Sequence, residues 1–323
     1  MASRPLHADG VAPSDFGAAV LAGLGQTPKV IPARYFYDAA GSALFEQITD
    51  LPEYYPTRTE IGLLTAHAGE IAATVGPGRA VIEFGSGSSA KTPLLLRAVA
   101  PAAYVPIDIS VDFLAASAAA LAEKFPGLPV LPVAGDFTRT LRLPAAISAT
   151  PKLGFFPGST LGNAAPAGAV DLLRAFAATL GDDAWLVIGL DLRKDRHTLE
   201  AAYDDKAGVT AAFNLNLLAR INRELGGTVD LGDFRHRARW NGDVGRVEMH
   251  LEAVRDTQFE VLGNNFKLAK GETIHTENSY KWTFDEARLL ARASGWVPVT
   301  GWVDAGKLFG LHLWRVAGPA GEP

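Results

Sequence analysis

Four residues of strand character, Val81-Ile82-Glu83-Phe84, run directly into Gly85-Ser86-Gly87 and then, from about Lys91, into an amphipathic helix. Few folds accommodate that order. An apolar strand needs cover on both faces, and glycines at its carboxyl end let the backbone reverse and approach a ligand with no Cβ in the way. The expectation is a parallel, doubly wound α/β sheet that binds its ligand at the carboxyl ends of the strands. The following sequence keeps that rhythm. Strand candidates at 80–84, 103–107, 128–133, 153–156 and 184–190 alternate with helical stretches at 91–99, 111–124 and 167–180, whose apolar positions recur at helical spacing.

After residue 190 the alternation stops, and a segment of different character intervenes. It reads as one helical run, 199–225, two strands at 246–254 and 259–262, and an extended piece at 272–275. The earlier pattern resumes with a helix at 284–293 and two closely spaced strands, 297–303 and 308–316, which read as an antiparallel hairpin. Before the sheet come a helix at 14–24 and an aromatic, proline-punctuated stretch at 35–56, expected to pack with the insertion. The fold expected is therefore a Rossmann-like sheet of seven strands, the last antiparallel, with an inserted α+β substrate-binding domain. This is the class I S-adenosylmethionine (SAM) methyltransferase topology, whereas a dinucleotide dehydrogenase more usually keeps its strands parallel. Residues 58–193 and 280–319 are assigned to the cofactor domain, 13–57 and 194–279 to substrate recognition, and 1–12 to a flexible polar arm.

Several polar residues fall where such a sheet presents its ligand site. Gly85 and Gly87 form the turn, with Ala90 third in a G-x-G-x-x-G/A pattern that by itself leaves a nicotinamide cofactor open. Glu83, two residues before the turn, suits a cationic cofactor better than a pyrophosphate. Asp108 ends the second strand, where a carboxylate accepts from ribose hydroxyls. Asp136, in AGDF, is placed to accept from an adenine amino group with Phe137 stacking beside it. Asn163 closes FFPGSTLGN after the fourth strand, either holding a nucleophile or capping the next helix. Tyr37 and Tyr54 lie in the aromatic stretch, and Tyr203, in AYDD, is read as opening the inserted helix. Glu277 and Ser279 alternate on an extended segment, so they share a face and make a polar clamp for a small heteroaromatic.

The bulk numbers exclude other chemistry. A net charge of −5 over 323 residues offers no basic face for a nucleic acid. The absence of cysteine removes thiolate metal sites, and the seven histidines show no ligand spacing, so no metal is expected. No stretch approaches the roughly 20 apolar residues of a membrane span. A cytoplasmic, monomeric enzyme acting on a small molecule is the expectation.

The motifs YFYDAAGSALFEQITDLPEYYPTRTE, EFGSGSSAKT, FFPGSTLGN, AYDDKAGVTAAFNLNLLARINRELGG, RVEMHL and TENSYKW, spread from about residue 34 to 314, resemble the histidine Nα-methyltransferases of ergothioneine biosynthesis. The resemblance implies SAM as cofactor, held by Gly85, Lys91, Asp108, Asp136 and Phe137. It implies L-histidine as substrate, held by Tyr54, Asn163, Tyr203, Glu277 and Ser279, with Asn163 and Tyr203 toward its amino and carboxylate end, Glu277 and Ser279 toward its imidazole, and Asn278 between the latter two. Met249 would line the side-chain pocket, and Tyr37 would face the increasingly methylated ammonium. An NAD(P)-dependent oxidoreductase, a binding protein without turnover, and a methyltransferase for another amino acid or imidazole amine remain the alternatives.

Overall fold

The computed structural model describes residues 13–87 and 91–318. The expected N-terminal arm, 1–12, and Ala90 lie outside the described residues. In chain order the elements are α1 (Pro13–Leu24), β1 (Lys29–Val30), α2 (Ala39–Thr49), α3 (Tyr55–Val75), β2 (Ala80–Phe84), α4 (Thr92–Val99), β3 (Ala103–Asp108) and α5 (Val111–Lys124). Next come β4 (Val133–Ala134), β5 (Lys152–Phe156), α6 (Pro166–Leu180), β6 (Trp185–Asp191), α7 (Arg196–Tyr203) and α8 (Val209–Leu225). The chain continues through β7 (Phe234–Asn241), β8 (Arg246–Ala253), β9 (Thr257–Val261), β10 (Asn264–Leu268) and β11 (Thr273–Tyr280), and ends in α9 (Phe284–Ala293), β12 (Trp296–Val303) and β13 (Phe309–Val316). Two compact units result. One comprises Arg58–Leu192 with the chain from Trp282 onward, the other Val11–Thr57 with Arg193–Lys281.

The first unit holds a seven-stranded sheet in the order β12-β13-β6-β5-β2-β3-β4. Strands β2 to β6 pair in parallel, and β13 runs antiparallel between β6 and β12. The strand order reverses between β2 and β5, which is the switch point where an open α/β sheet takes its ligand. Its hydrophobic core joins Val81, Leu153, Val187, Leu311 and Leu313 of the strands to Leu64, Ile71, Leu95 and Leu96 of the helices, all at most 1 % exposed. Burying each such side chain contributes ~1.5–3 kcal/mol, so the sheet is a rigid platform for whatever its carboxyl edge carries.

The strand expected over 128–133 is reduced to β4 and an isolated bridge between Tyr104 and Val130. Pro129 and Pro132 bring no N–H to a ladder, so the segment meets β3 at Tyr104, through the Pro129 carbonyl and the Leu131 N–H, and regular pairing starts at Val133.

The second unit is built on the sheet β1-β11-β8-β7, with β9 and β10 as a separate hairpin. Along β8, Val247, Met249 and Leu251 are buried on one face, while Glu248, His250 and Glu252 take the other, where Glu252 meets Arg235 and Arg237 of β7. Helix α8 packs Phe213, Leu217 and Ile221 inward. The helical run expected over 199–225 is two helices. Gly208, with φ +75°, and the Asp205 carboxylate, which accepts from the N–H groups of Val209 (3.0 Å) and Thr210 (2.7 Å), break it and restart it as α8. Tyr203 therefore ends α7 and does not open a helix. The extended piece expected at 272–275 is the start of β11, and β7, β10 and the 21-residue α3 were not anticipated.

Candidate active site

In the first unit the turn after β2 is fixed from below. Glu83, 1 % exposed, accepts from Thr92 Oγ1 (2.7 Å) and Tyr104 Oη (2.6 Å), tying the strand to the start of α4 and to β3. Burial pushes its carboxyl up to about 7. Gly85 and Gly87 both take positive φ, +71° and +44°, and a Cβ on Gly85 would lie 3.2 Å from the Phe137 ring. That ring sits edge-on to Phe156 at 5.8 Å. Asp108, at the end of β3, accepts from the Gly87 N–H (3.3 Å) and the Ser110 N–H (3.0 Å), which draws the turn and the second strand end together. Asp136 spends one carboxylate oxygen on the Thr138 N–H and hydroxyl. Gly85, Gly87, Asp108, Asp136 and Phe137 thus gather at the carboxyl ends of β2, β3 and β4.

Lys91 directly precedes α4, its ammonium 2.5 Å from Glu60 Oε2. Gly158, after β5, donates its N–H to the same oxygen at 2.8 Å. SAM offers a ribose diol, an adenine and a single carboxylate as its anion, and this edge offers two aspartates, an aromatic ring and a cation. The residues present fit the cofactor. Asn163 ends a short 3₁₀ turn, Thr160–Asn163, and is exposed. Ala165, not Asn163, holds the N-cap position of α6 and gives no side-chain cap, so Asn163 is not a cap.

In the second unit the expected residues form a connected aromatic and polar line. Tyr37 meets Phe45 edge-on (5.6 Å), Phe45 meets Tyr54 (6.3 Å), and Tyr54 meets Tyr203 (6.2 Å). The Tyr203 hydroxyl then bonds Ser279 Oγ at 2.8 Å. Tyr203 is locked through its backbone, since His236 Nε2 lies 2.7 Å from its carbonyl. Asn214 of α8, fully buried, holds His236 Nδ1 at 2.9 Å and also takes a hydrogen bond from Thr276 Oγ1. With the Asn214 amide donating to Nδ1, the ring carries its proton on Nε2 and donates to Tyr203; burial lowers its pKa and favours that neutral form.

Strand β11 is where the sequence pattern and the structure interact most closely. Its register shifts between His275 and Glu277, with His275 opposite His250 and Glu277 opposite Met249. Before the shift His275 stacks on His250 at 4.6 Å. After it Glu277 and Ser279 share the face of Met249, and Asn278 falls on the other face, opposite Glu248. The Asn278 side chain therefore does not join Glu277 and Ser279. Glu277 is half-buried, and the desolvation pushes its carboxyl up to about 7 against the pull of Lys281. A separate groove in this unit, lined by residues such as His197, Glu200, Arg237, Arg239 and His250, contains none of the expected residues and carries charges of both signs, among them the pairs Arg196–Glu200 and Arg237–Glu252.

Two residues went unread in the sequence. Lys281, 1 % exposed, donates to the Tyr203 hydroxyl (2.7 Å) and to Ser279 Oγ (2.8 Å). Its signal was the spacing 277, 279, 281, which puts three polar groups on one face of a strand. Glu60, fully buried within α3, was a lone carboxylate in the apolar run EIGLL.

Comparison with known proteins agrees with this geometry. The sequence profile of the family described as SAM-dependent histidine-specific methyltransferases matches residues 16–316. The histidine N-alpha-methyltransferase of Mycolicibacterium smegmatis is 41 % identical over 300 residues, covering 91 % of this chain and 92 % of that protein. The enzyme of the same name from Mycobacterium tuberculosis is 39 % identical over 91 % and 92 % of the two chains. Ergothioneine biosynthesis protein 1 of Neurospora crassa is 33 % identical over 88 % of this chain and 33 % of its own length. Sheet order, cofactor edge and sequence agree: the chain belongs to the SAM-dependent histidine-specific methyltransferase family.

Proposed function

We propose that the protein transfers three methyl groups from SAM to the α-amino nitrogen of L-histidine, giving trimethylhistidine, as a step of ergothioneine biosynthesis. The observation that carries this reading is Glu277. It is a half-buried carboxyl with no side-chain hydrogen bond among the described residues, opposite Met249 and on the same face as Ser279. An imidazole N–H supplies the donor it lacks, the Ser279 hydroxyl serves the other ring nitrogen, and Met249 packs on the ring edge. An indole has no second ring nitrogen to offer.

When bound, SAM supplies a methyl group already activated on sulfonium, so the protein has to align an amine and exclude water. Lys91, Asp108, Asp136 and Phe137 are assigned to the cofactor, with Gly85 and Gly87 permitting its approach. Tyr54, Tyr203 and Asn163 are assigned to the amino acid backbone of the acceptor. The Tyr37 ring, 38 % exposed, attracts the ammonium as methyl groups accumulate. The attacking amine has to be unprotonated, and water removes the proton.

Incubating the purified chain with SAM and histidine, with histamine and tryptophan in parallel, and reading the products by mass spectrometry tests the assignment. One, two and three added methyls on histidine are expected, with little on histamine or tryptophan. No methylated histidine ends the proposal. The reading also carries the expectation of a cytoplasmic monomer, checked by cell fractionation and sedimentation of the purified chain; no helix among the described residues is long and apolar enough to cross a membrane.

A further inference from the structure

The Glu60 carboxylate is fully buried and is engaged on three sides by the first unit. Its Oε2 accepts from Lys91 Nζ at 2.5 Å and from the Gly158 N–H at 2.8 Å, joining the start of α4 to the end of β5 across the strand-order switch. Its Oε1 occupies the notch left by Gly189 of β6, where a Cβ would stand 2.0 Å away. That oxygen has no hydrogen-bond partner among the described residues.

Such an arrangement is a poor way to stabilise a fold. An orphaned buried acceptor is destabilising, and a buried ion pair is frequently no better than apolar residues of the same volume. What the arrangement does achieve is orientation. Glu60 is the hydrogen-bond partner of the Lys91 ammonium among the described residues, and it takes one of three protons. The Lys91 side chain, 14 % exposed, therefore has a fixed position with two donors unspent beside the Gly-rich turn. Gly158 keeps this corner open with φ +84°, and a Cβ there would come within 3.6 Å of Lys91 Nζ.

We infer that Glu60 is a positioning residue for the cofactor: it holds Lys91 so that the ammonium meets the carboxylate of the methionyl moiety, the single anion of SAM. This rests on the reading of the first unit as the SAM site and adds a residue that acts through Lys91 without touching the ligand. The pair divides recognition by chemistry. Adenine and ribose belong to Asp136, Phe137 and Asp108, while the amino acid tail depends on Glu60 and Lys91.

Isothermal titration of the wild-type chain, Glu60→Gln, Lys91→Met and the double variant with S-adenosylhomocysteine and with 5′-methylthioadenosine, which lacks the amino acid tail, tests this. Losing an oriented charge-assisted contact is expected to raise the S-adenosylhomocysteine Kd of Glu60→Gln about tenfold or more, with the methylthioadenosine Kd within about twofold of wild type, as for a contact made only to the tail. The double variant is expected to bind no more weakly than Lys91→Met, because Glu60 acts only through that ammonium. Equal weakening of both ligands in Glu60→Gln indicates a merely structural role and overturns the inference, as does unchanged S-adenosylhomocysteine binding or full additivity. Should Glu60→Gln fold poorly, Lys91→Met carries the same ligand comparison, and equal weakening of both ligands there overturns the inference too. Wild-type protein that ignores both ligands would instead refute the SAM site itself.

Discussion

Replacing Glu277 with Gln keeps the shape of the side chain and removes its charge. Burial moves this carboxyl up to about 7 from an ordinary 4.5, so holding the anion in its pocket costs on the order of 3 kcal/mol. Histidine recovers part of that cost by donating to it, and a hydrogen bond to a charged acceptor contributes ~1.5–3 kcal/mol. Glu277→Gln should therefore raise KM for histidine roughly 10- to 150-fold. The change in kcat should be small, since the ring end of the substrate does not react. Stability should move the other way. A carboxyl with a raised folded pKa holds its proton between pH 4.5 and 7 while the unfolded chain has lost it, so it favours the fold below pH 4.5 and this advantage is lost as pH rises through 7. The Gln variant escapes that loss and should gain urea resistance over wild type on going from pH 5 to pH 8. Steady-state kinetics at pH 8 and urea titrations at both pH values decide the matter. An unchanged KM with a depressed kcat, or a variant whose stability relative to wild type falls between pH 5 and 8, would refute the reasoning.

Three further outcomes follow from the geometry. Lys281→Met removes the cation that opposes the rise in the Glu277 pKa, so the acidic limb of the kcat/KM profile for histidine should move to higher pH while the cofactor KM stays put. His312, 2 % exposed, packs on Phe284 at 4.6 Å with Nε2 unpartnered, and burial pushes it down to about 4. Its neutral form is the one the fold accepts, so the stability it permits is intact above 6.5 and falls by up to about 3 kcal/mol toward pH 4; His312→Leu should flatten the urea midpoint across that window relative to wild type. Gly85→Ala has to place a Cβ 3.2 Å from Phe137 at a φ of +71°, and the strain, ~1 kcal/mol or more, should lower the melting temperature and weaken S-adenosylhomocysteine binding together.

The parts of this protein legible in the sequence are those where one residue's neighbours decide its conformation. The β2 turn, the hairpin of β12 and β13, and helices such as α5 follow from local periodicity and glycine placement. Helix α3 was obscured because Pro56 reads as a stop, although proline is tolerated in a first helical turn. Strand β7, FRHRARWN, hides behind its arginines, whose charges are matched only by Glu252 and Glu248 of β8. Glu60 and Lys281 illustrate the same limit at the candidate site. Their chemistry depends on partners 31 and 78 residues away in the chain, Lys91 and Tyr203, so no local pattern announces it. Resemblance supplied the aromatic residues Tyr37, Tyr54 and Tyr203, but only the folded second unit shows them running ring to ring.

The register shift in β11 acts as a change of phase. Upstream of Thr276 the strand counts its faces one way, and downstream the other; the three polar positions 277, 279 and 281 all lie in the second phase. Thr276 is pinned at that step by Asn214 and by the Met249 carbonyl. Thr276 is the extra residue of that step: with it removed, His275 and Glu277 would be consecutive positions of an unbroken ladder opposite His250 and Met249. Paired without the bulge and with every residue kept, the strand would instead put Thr276 opposite Met249 and turn Glu277 to the face of Glu248. Which face the carboxylate takes is thus a matter of parity as well as of composition, and the one extra residue between His275 and Glu277 sets it.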